Sequence, residues 1–314
     1  MDTNTNASFS LAAKITRTAS KQTYYTIQLL VDRERIPDAF RAYAYFRWVD
    51  DRLDAETASP SERMSFLQRQ QSILEDCYQG QPSGDLSPEE LMLVDLIMGN
   101  PEKSSGLEAY LRDMMAVMAF DVERRGRAIS AAELSEYSRL LAMAVTEALH
   151  YFIGHNCCTP QDDTRYLAVR GAHVIHMLRD WQEDVQAGYF NISTDYVRAH
   201  GLDLADMDDP ALREWVASRV QLARIFFQRG REYAAGVKNL RCRLAGYAYI
   251  ARFEWMLYAI EKDGYHLRAA YPERKSLRAG LWMLARALSS AAGLGWMDID
   301  PRKWAIPIIK TDER

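Results

Sequence analysis

Apolar side chains recur three and four positions apart through residues 36–53, 64–78, 107–122, 131–153, 164–185, 211–237, 240–260 and 276–291. That spacing lines one face of an α-helix. Alternating runs of β-branched residues bounded by turns, the mark of strands, are missing. Between the periodic stretches lie breakers rich in Pro, Gly, Ser and Asp: SPSE at 59–62, GQPSGDLSPEE at 80–90, NPEKSSG at 100–106, TPQDD at 159–163 and DMDDP at 206–210. Several place a Ser or Asp just ahead of a helix, where its side chain can cap the first free N–H groups. None has the length of an interdomain linker. The pattern predicts an all-α fold, with a flexible segment over 1–15, one helical domain over 16–300 and a tail over 301–314.

A chain of 314 residues that is 48% hydrophobic can bury an extended core without disulfides or a structural metal. The net charge of −4 and pI near 5.9 argue against a nucleic-acid partner, which calls for a basic face. Cys77, Cys157, Cys158 and Cys242 form neither a zinc-site spacing nor a redox CxxC, so a reducing cytoplasm is expected. The first twenty residues lack a charged segment followed by an apolar one, and no secretory leader is expected. Residues 279–297 are apolar apart from Arg286, and fit a buried or membrane-surface helix better than a span. No spanning helix is expected, and peripheral contact with a bilayer stays open.

The candidate chemistry sits in two acidic motifs. Arg47, Asp50, Asp51 and Asp54 stand at i, i+3, i+4 and i+7, on one helix face. Asp180 and Asp184 are one turn apart, with Arg179 and Glu183 beside them and His173 and His176 upstream on the same face. Like charges at this spacing repel. Both motifs also lie among large apolar residues, such as Phe46, Trp48, Leu178 and Trp181, where an uncompensated charge is costly. Divalent cations would neutralise them, and oxygen-only ligands suit Mg²⁺, which binds through a few carboxylates plus substrate phosphates. The arginines suit forked hydrogen bonds to phosphate.

These motifs give the chain a recognisable character: it resembles the squalene/phytoene synthase family, the head-to-head isoprenyl diphosphate synthases. Arg47-Trp-Val-Asp-Asp-Arg-Leu-Asp54 matches the family's R-x-x-D-D-x-x-D element, and Leu178-Arg-Asp-Trp-Gln-Glu-Asp184 its L-R-D-x-x-E-D element. Lys21-Gln-Thr-Tyr24 stands where the family has S-K-[ST]-F, and Phe120-Asp-Val-Glu123 with Glu133-Leu-Ser-Glu-Tyr137 resembles its D-[VL]-E…E-L-x-x-Y stretch. The resemblance implies an isoprenoid-synthase-type helical bundle around a central cavity. It also implies two or three Mg²⁺ ions held with the substrate diphosphate by Asp50, Asp51, Asp54, Asp180 and Asp184. By the same resemblance Arg47, Arg179, Lys21 and Thr23 would meet the phosphates. Tyr24, Tyr43, Tyr137 and Phe253 would shield an allylic cation, with His173 and His176 also near substrate.

The departures cluster. His173-Val-Ile-His176 replaces the family's Q-x-x-N, and either binds metal or diphosphate or fills the Gln and Asn space. Leu141-Ala-Met-Ala-Val-Thr146 lacks two family glycines, which implies a narrower or displaced wall, and Glu147 follows it as a carboxylate either catalytic or paired. Phe253 takes the place of a tyrosine, Ala270 that of an arginine for which Arg268 is a substitute, and Tyr189 that of a further arginine. Three readings follow. The family default condenses two farnesyl or geranylgeranyl diphosphates head to head. A divergent enzyme would ionise one prenyl diphosphate and pass its cation to an aromatic or other acceptor, or cyclise it. A catalytically silent assembly protein is the third. No GxGxxG signature for a nicotinamide cofactor such as NADPH is present.

Overall fold

The protein is described by a computed structural model covering residues 3–82, 84–100, 102–155, 157, 159–272 and 276–293. Thirteen α-helices follow one another among these residues: α1 (Thr3–Ala19), α2 (Lys21–Leu30), α3 (Ile36–Leu53), α4 (Pro60–Tyr78), α5 (Glu90–Met98), α6 (Gly106–Arg124), α7 (Ala131–Phe152), α8 (Leu167–Arg179), α9 (Trp181–Ala187), α10 (Thr194–His200), α11 (Pro210–Gly236), α12 (Leu240–Lys262) and α13 (Leu277–Ala291). Among the described residues there is no strand; the one β-type contact is an isolated bridge between Ile129 and Ser193. The fold is all-α, as the periodicity predicts.

Local chemistry sets the boundaries. Ser59 and Ser130 each accept a hydrogen bond from the N–H three residues on, and Glu62 and Glu133 reach back to complete capping boxes. Two differences from the sequence pattern matter. Residues 1–15 read as flexible, yet α1 begins at Thr3 and packs against α3, with Ala12 and Thr16 fully buried. Its buried stripe, Ser8, Ala12 and Thr16, is made of small side chains four apart, and Arg41 Nε donates to Ser8 Oγ at 3.0 Å. The helix expected over 164–185 is divided. A 3₁₀ turn (Asp163–Tyr166) precedes α8, and Asp180, with φ −100° and ψ 10°, separates α8 from α9. The tail at 301–314 lies outside the described residues.

Two apolar clusters form the core. The first joins α1 and α3 to α7 through residues such as Phe40, Tyr45, Leu93 and Leu111; the second joins α8, α9, α11 and α12 through Ile175, Trp181, Phe227 and Ile250. Helices α8 and α11 approach closely because glycine stands at both crossing points. A Cβ on Gly230 would lie 2.7 Å from the Ala168 Cβ, and one on Gly171 2.9 Å from the Phe227 ring. This packing fixes α8 opposite α3 and α6, and a cavity opens between them.

Candidate active site

The cavity, about 820 Å³, is lined on one side by α3 and on the other by α8 and α9, with α6 and α7 at its back. Arg47, Asp50 and Asp54 come from the first motif, and Asp180, Glu183 and Asp184 from the second. The two sets of carboxylates therefore share one space. Asp180 ends α8, but the Asp184 N–H still donates to the Asp180 carbonyl at 2.8 Å, which keeps the two residues one turn apart.

The electrostatics follow from burial and like charge. Burial, reinforced by Asp54 and Asp121, pushes the Asp50 carboxyl up to about 7 against the pull of Arg47. Burial, with Asp180, Glu183 and Asp121 adding repulsion, pushes Asp184 up to about 7 in the same way. Asp180 behaves oppositely. Burial acts to raise it, but hydrogen bonds from Arg179 and His176 hold it well below the usual carboxylate range. Arg179 Nε donates to Asp180 Oδ1 at 2.6 Å, and His176 Nε2 lies 2.9 Å from Oδ2.

His173 is buried, and burial brings its imidazole down to about 3, so the ring is neutral at ordinary pH. Its Nδ1 is 3.1 Å from Ser138 Oγ, and its ring centroid lies 5.0 Å from that of Tyr137. This places His173 as a neutral polar side chain in the wall, beside Tyr137, which also lines the cavity.

The remaining candidates are placed elsewhere. Asp51 is outside the cavity lining, paired with Arg47 on the outer edge of α3, because one residue along a helix turns the side chain by about 100° from Asp50. Arg179 also lies outside the lining, held in its fork to Asp180. Lys21 and Thr23 sit in the first turn of α2, where Thr23 Oγ1 donates to Ser20 Oγ at 2.9 Å. Tyr24 packs 5.2 Å from Phe40, and Tyr43 packs against the first core cluster. Phe253 is buried in the second cluster, 6.4 Å from the His176 ring and 5.2 Å from Tyr249. None of residues 141–145 lines the cavity; Thr146 borders a separate void of about 40 Å³. Glu147 is paired, 3.1 Å from Arg165 and accepting from Tyr166 Oη at 2.9 Å. Arg268 turns to Asp263 at 2.7 Å.

Behind the two motifs lies a network that the motifs alone do not contain. Arg124, buried, donates from Nε to Asp121 Oδ1 at 2.6 Å and from Nη1 to Asn191 Oδ1 at 2.8 Å. Asn191 Nδ2 donates to Asp184 Oδ2 at 2.7 Å, and Tyr137 Oη to Asp121 Oδ2 at 3.0 Å. Burial raises the Asp121 carboxyl despite Arg124, and Asp54 adds to the rise. Tyr189 Oη donates to Asp54 Oδ1 at 2.9 Å, and the Arg124 and Arg125 guanidinium carbons lie 5.0 and 5.5 Å from its ring centroid. The loop carrying Tyr189 and Asn191 is fixed by a hydrogen bond from the Gly126 N–H to the Gly188 carbonyl at 2.8 Å. Both glycines have positive φ, and a Cβ on Gly188 would sit 3.2 Å from the Gly126 nitrogen. Asp121 and Tyr189 were visible as a motif element and a departure; Arg124 and Asn191 had no signal of their own.

Among the described residues, no three of His, Cys, Asp and Glu converge to hold a metal unaided. The donor set nonetheless fits a hard cation: carboxylate oxygens on two walls, two of them raised to about 7 by burial and mutual repulsion that a cation would relieve. Mg²⁺ characteristically completes its shell with water and substrate phosphate rather than with an all-protein cage.

Solved structures share this architecture. A squalene synthase, HpnC, from Alicyclobacillus acidocaldarius superposes with a TM-score of 0.67 at 19% identity, over 85% of this chain and 98% of that one. A dehydrosqualene synthase in complex with a ligand superposes with a TM-score of 0.72 at 18% identity, over 92% of this chain and 98% of the other. No match was found among curated protein sequences. The family model described as squalene/phytoene synthase matches residues 16–280. The chain belongs to the squalene/phytoene synthase family, a family of prenyltransferases.

Proposed function

We propose that this protein ionises an allylic isoprenyl diphosphate with the help of Mg²⁺ and transfers the prenyl cation to a second substrate. The observation that carries the reading is the pair of carboxylate-bearing walls, Asp50 and Asp54 facing Asp180 and Asp184 across one cavity. Asp50, Asp54, Asp180 and Asp184 would hold the metal with the diphosphate, and Arg47 at the rim would take phosphate oxygens. Asp51 and Arg179 would act through their ion pairs with Arg47 and Asp180. Bound there, Mg²⁺ supplies Lewis acidity to the departing diphosphate. Tyr137, which lines the cavity beside the Asp121–Arg124 pair, would be the aromatic side chain bordering the cation.

The names of the structural relatives favour head-to-head condensation of two farnesyl or geranylgeranyl diphosphates. One observation favours a divergent acceptor or an internal cyclisation. Tyr189 stands where the family pattern has an arginine, and it hydrogen-bonds Asp54 instead of offering a cation to a second diphosphate. Incubation of the purified protein with Mg²⁺ and either diphosphate separates the readings. A C30 or C40 hydrocarbon means condensation, a cyclic C15 or C20 product means cyclisation, and diphosphate release only with added acceptor means transfer. No release under any condition overturns the proposal.

A further inference from the structure

Helix α13 is built inside out. Its buried face carries Arg286, Ser289 and Ser290 beside Ala279, Trp282 and Ala287. Arg286 Nη2 donates to Glu254 Oε2 at 3.1 Å, and its guanidinium carbon lies 4.8 Å from the Trp282 ring centroid. The opposite face presents Leu277, 80% exposed, with Leu281, Leu284 and Leu288 each at least half exposed. Spaced four, three and four apart, these leucines form one stripe about 16 Å long. A solvated helix would show the reverse arrangement.

The stripe continues onto neighbouring elements. Arg243 Nη2 donates to the Ala291 carbonyl at 3.3 Å, which brings the start of α12 to the end of α13. Arg241 Nη1 reaches the Leu30 and Val31 carbonyls, each at 3.3 Å, which joins the end of α2. Leu240, Leu29 and Tyr25, all more than half exposed, lie on these two elements. Seven of the nine large exposed hydrophobic side chains among the described residues thus belong to α2, α13 and the first residue of α12.

Charge decides what would cover this surface. Residues 21–30, 238–246 and 276–293 contain six Lys and Arg and no Asp or Glu, in a chain whose net charge is −4. Arg286 turns inward to Glu254 and Arg241 pairs with Asp32, while Lys21, Lys238, Arg243 and Arg278 add to the positive charge of these elements. A second copy would set this positive face against itself. The chain beyond Gly293, residues 294–314, has four acidic and four basic residues and offers no net charge to match it. An anionic lipid headgroup layer over acyl chains matches both the charge and the leucines.

We infer that α13, with the adjoining ends of α2 and α12, docks the protein on the surface of an anionic bilayer. The helix lies in the interface with its leucines among the acyl chains. Among the described residues no helix is long and apolar enough to cross a membrane, so the contact is peripheral. The inference is independent of the reaction proposed above and is tested by binding alone. The full-length protein is mixed with vesicles of phosphatidylcholine containing one-third phosphatidylglycerol, and floated on a density gradient. It floats with these vesicles, less with pure phosphatidylcholine, and less at high salt. Leu281→Ser with Leu284→Ser lowers the partition coefficient roughly a hundredfold, about tenfold for each leucine withdrawn, while helix content and melting temperature stay those of the parent. Should that variant fail to fold, Lys238→Glu with Arg278→Glu is read instead and binds anionic vesicles about tenfold or more weakly. The inference is overturned if the parent does not float with anionic vesicles, or if a folded variant floats as well as the parent. A parent that sediments as a dimer, becomes monomeric on the leucine substitutions and ignores vesicles would make the face a protein interface instead.

Discussion

Replacing Arg124 by Met tests whether the charges behind the two acidic walls are coupled as their geometry indicates. The guanidinium is buried and bonded to Asp121 at 2.6 Å and to Asn191 at 2.8 Å. Without it the Asp121 carboxylate, whose side chain is 21% exposed, keeps its burial and loses its cation. Breaking one side of a buried pair costs about 3–5 kcal/mol. Proton uptake limits that cost. For a carboxyl with an ordinary value near 3.9, each pH unit above it is worth about 1.36 kcal/mol, so the limit is about 4 kcal/mol at pH 7 and about 1.5 kcal/mol at pH 5. The sign follows from a folded-state value raised above the unfolded one. The penalty is absent below about pH 4 and grows with rising pH until the folded value is passed. Because burial already raises Asp121 in the parent, the parent shares part of this slope. The variant-minus-parent difference therefore shrinks by at most about 2.7 kcal/mol from pH 7 to pH 5, and the lost Asn191 hydrogen bond adds about 1 kcal/mol at both pH values. Urea unfolding followed by tryptophan fluorescence at both pH values measures this. At pH 7, adding Asp121→Asn to Arg124→Met restores part of the lost stability, because the unpaired charge goes with it. Equal destabilisation at both pH values, or a double variant no more stable than the single one, would refute the coupling.

Three further outcomes follow from the site and its frame. Gly230→Val should cost about 1–3 kcal/mol in unfolding free energy, because its Cβ meets Ala168 at 2.7 Å on a packed helix crossing; a neutral substitution would mean that α8 and α11 can separate freely. Mg²⁺ with inorganic diphosphate should raise the melting temperature more at pH 8 than at pH 6, since Asp50 and Asp184, both near 7, must give up protons to bind a cation. A larger shift at pH 6 would contradict those assignments. His173→Gln should leave the shape of the pH–rate profile between about pH 5.5 and 8.5 unchanged, because an imidazole near 3 does not titrate there; disappearance of an ionisation near 6.5 would show that His173 carries a functional charge.

The helices with a strong 3.6-residue period were legible residue by residue. The predicted 36–53 coincides with α3 (Ile36–Leu53), and 131–153 with α7 to within one residue. What escaped the pattern did so for identifiable reasons. In α1 the buried stripe is small and polar, so it carries no hydrophobic period. In α5, ELMLVDLIM is apolar nearly all round and too short to show a face. The break at Asp180 leaves the i,i+4 backbone bond to Asp184 intact, so spacing alone could not reveal it. At the site the motif residues Asp50, Asp54, Asp180 and Asp184 were readable because helical spacing puts them on one face. Asn191 was not, because its position depends on the loop held by the Gly126–Gly188 hydrogen bond, and Arg124, at the end of α6, takes its place in the network only by meeting that loop. The inverted face of α13 was half legible: residues 279–297 read as a buried or membrane-surface helix, but which residues turned outward was decided by the Arg286–Glu254 pair.

The most direct test of the proposed chemistry is the rate of inorganic diphosphate release from farnesyl or geranylgeranyl diphosphate, measured with and without Mg²⁺ for the parent and for Asp50→Asn and Asp180→Asn. The parent should release diphosphate only with Mg²⁺, and each substitution, one on either wall of the cavity, should slow release by about a hundredfold or more. Release that persists in excess chelator, or that either variant performs at the parental rate, would contradict the assignment of the two acidic walls to metal-assisted ionisation.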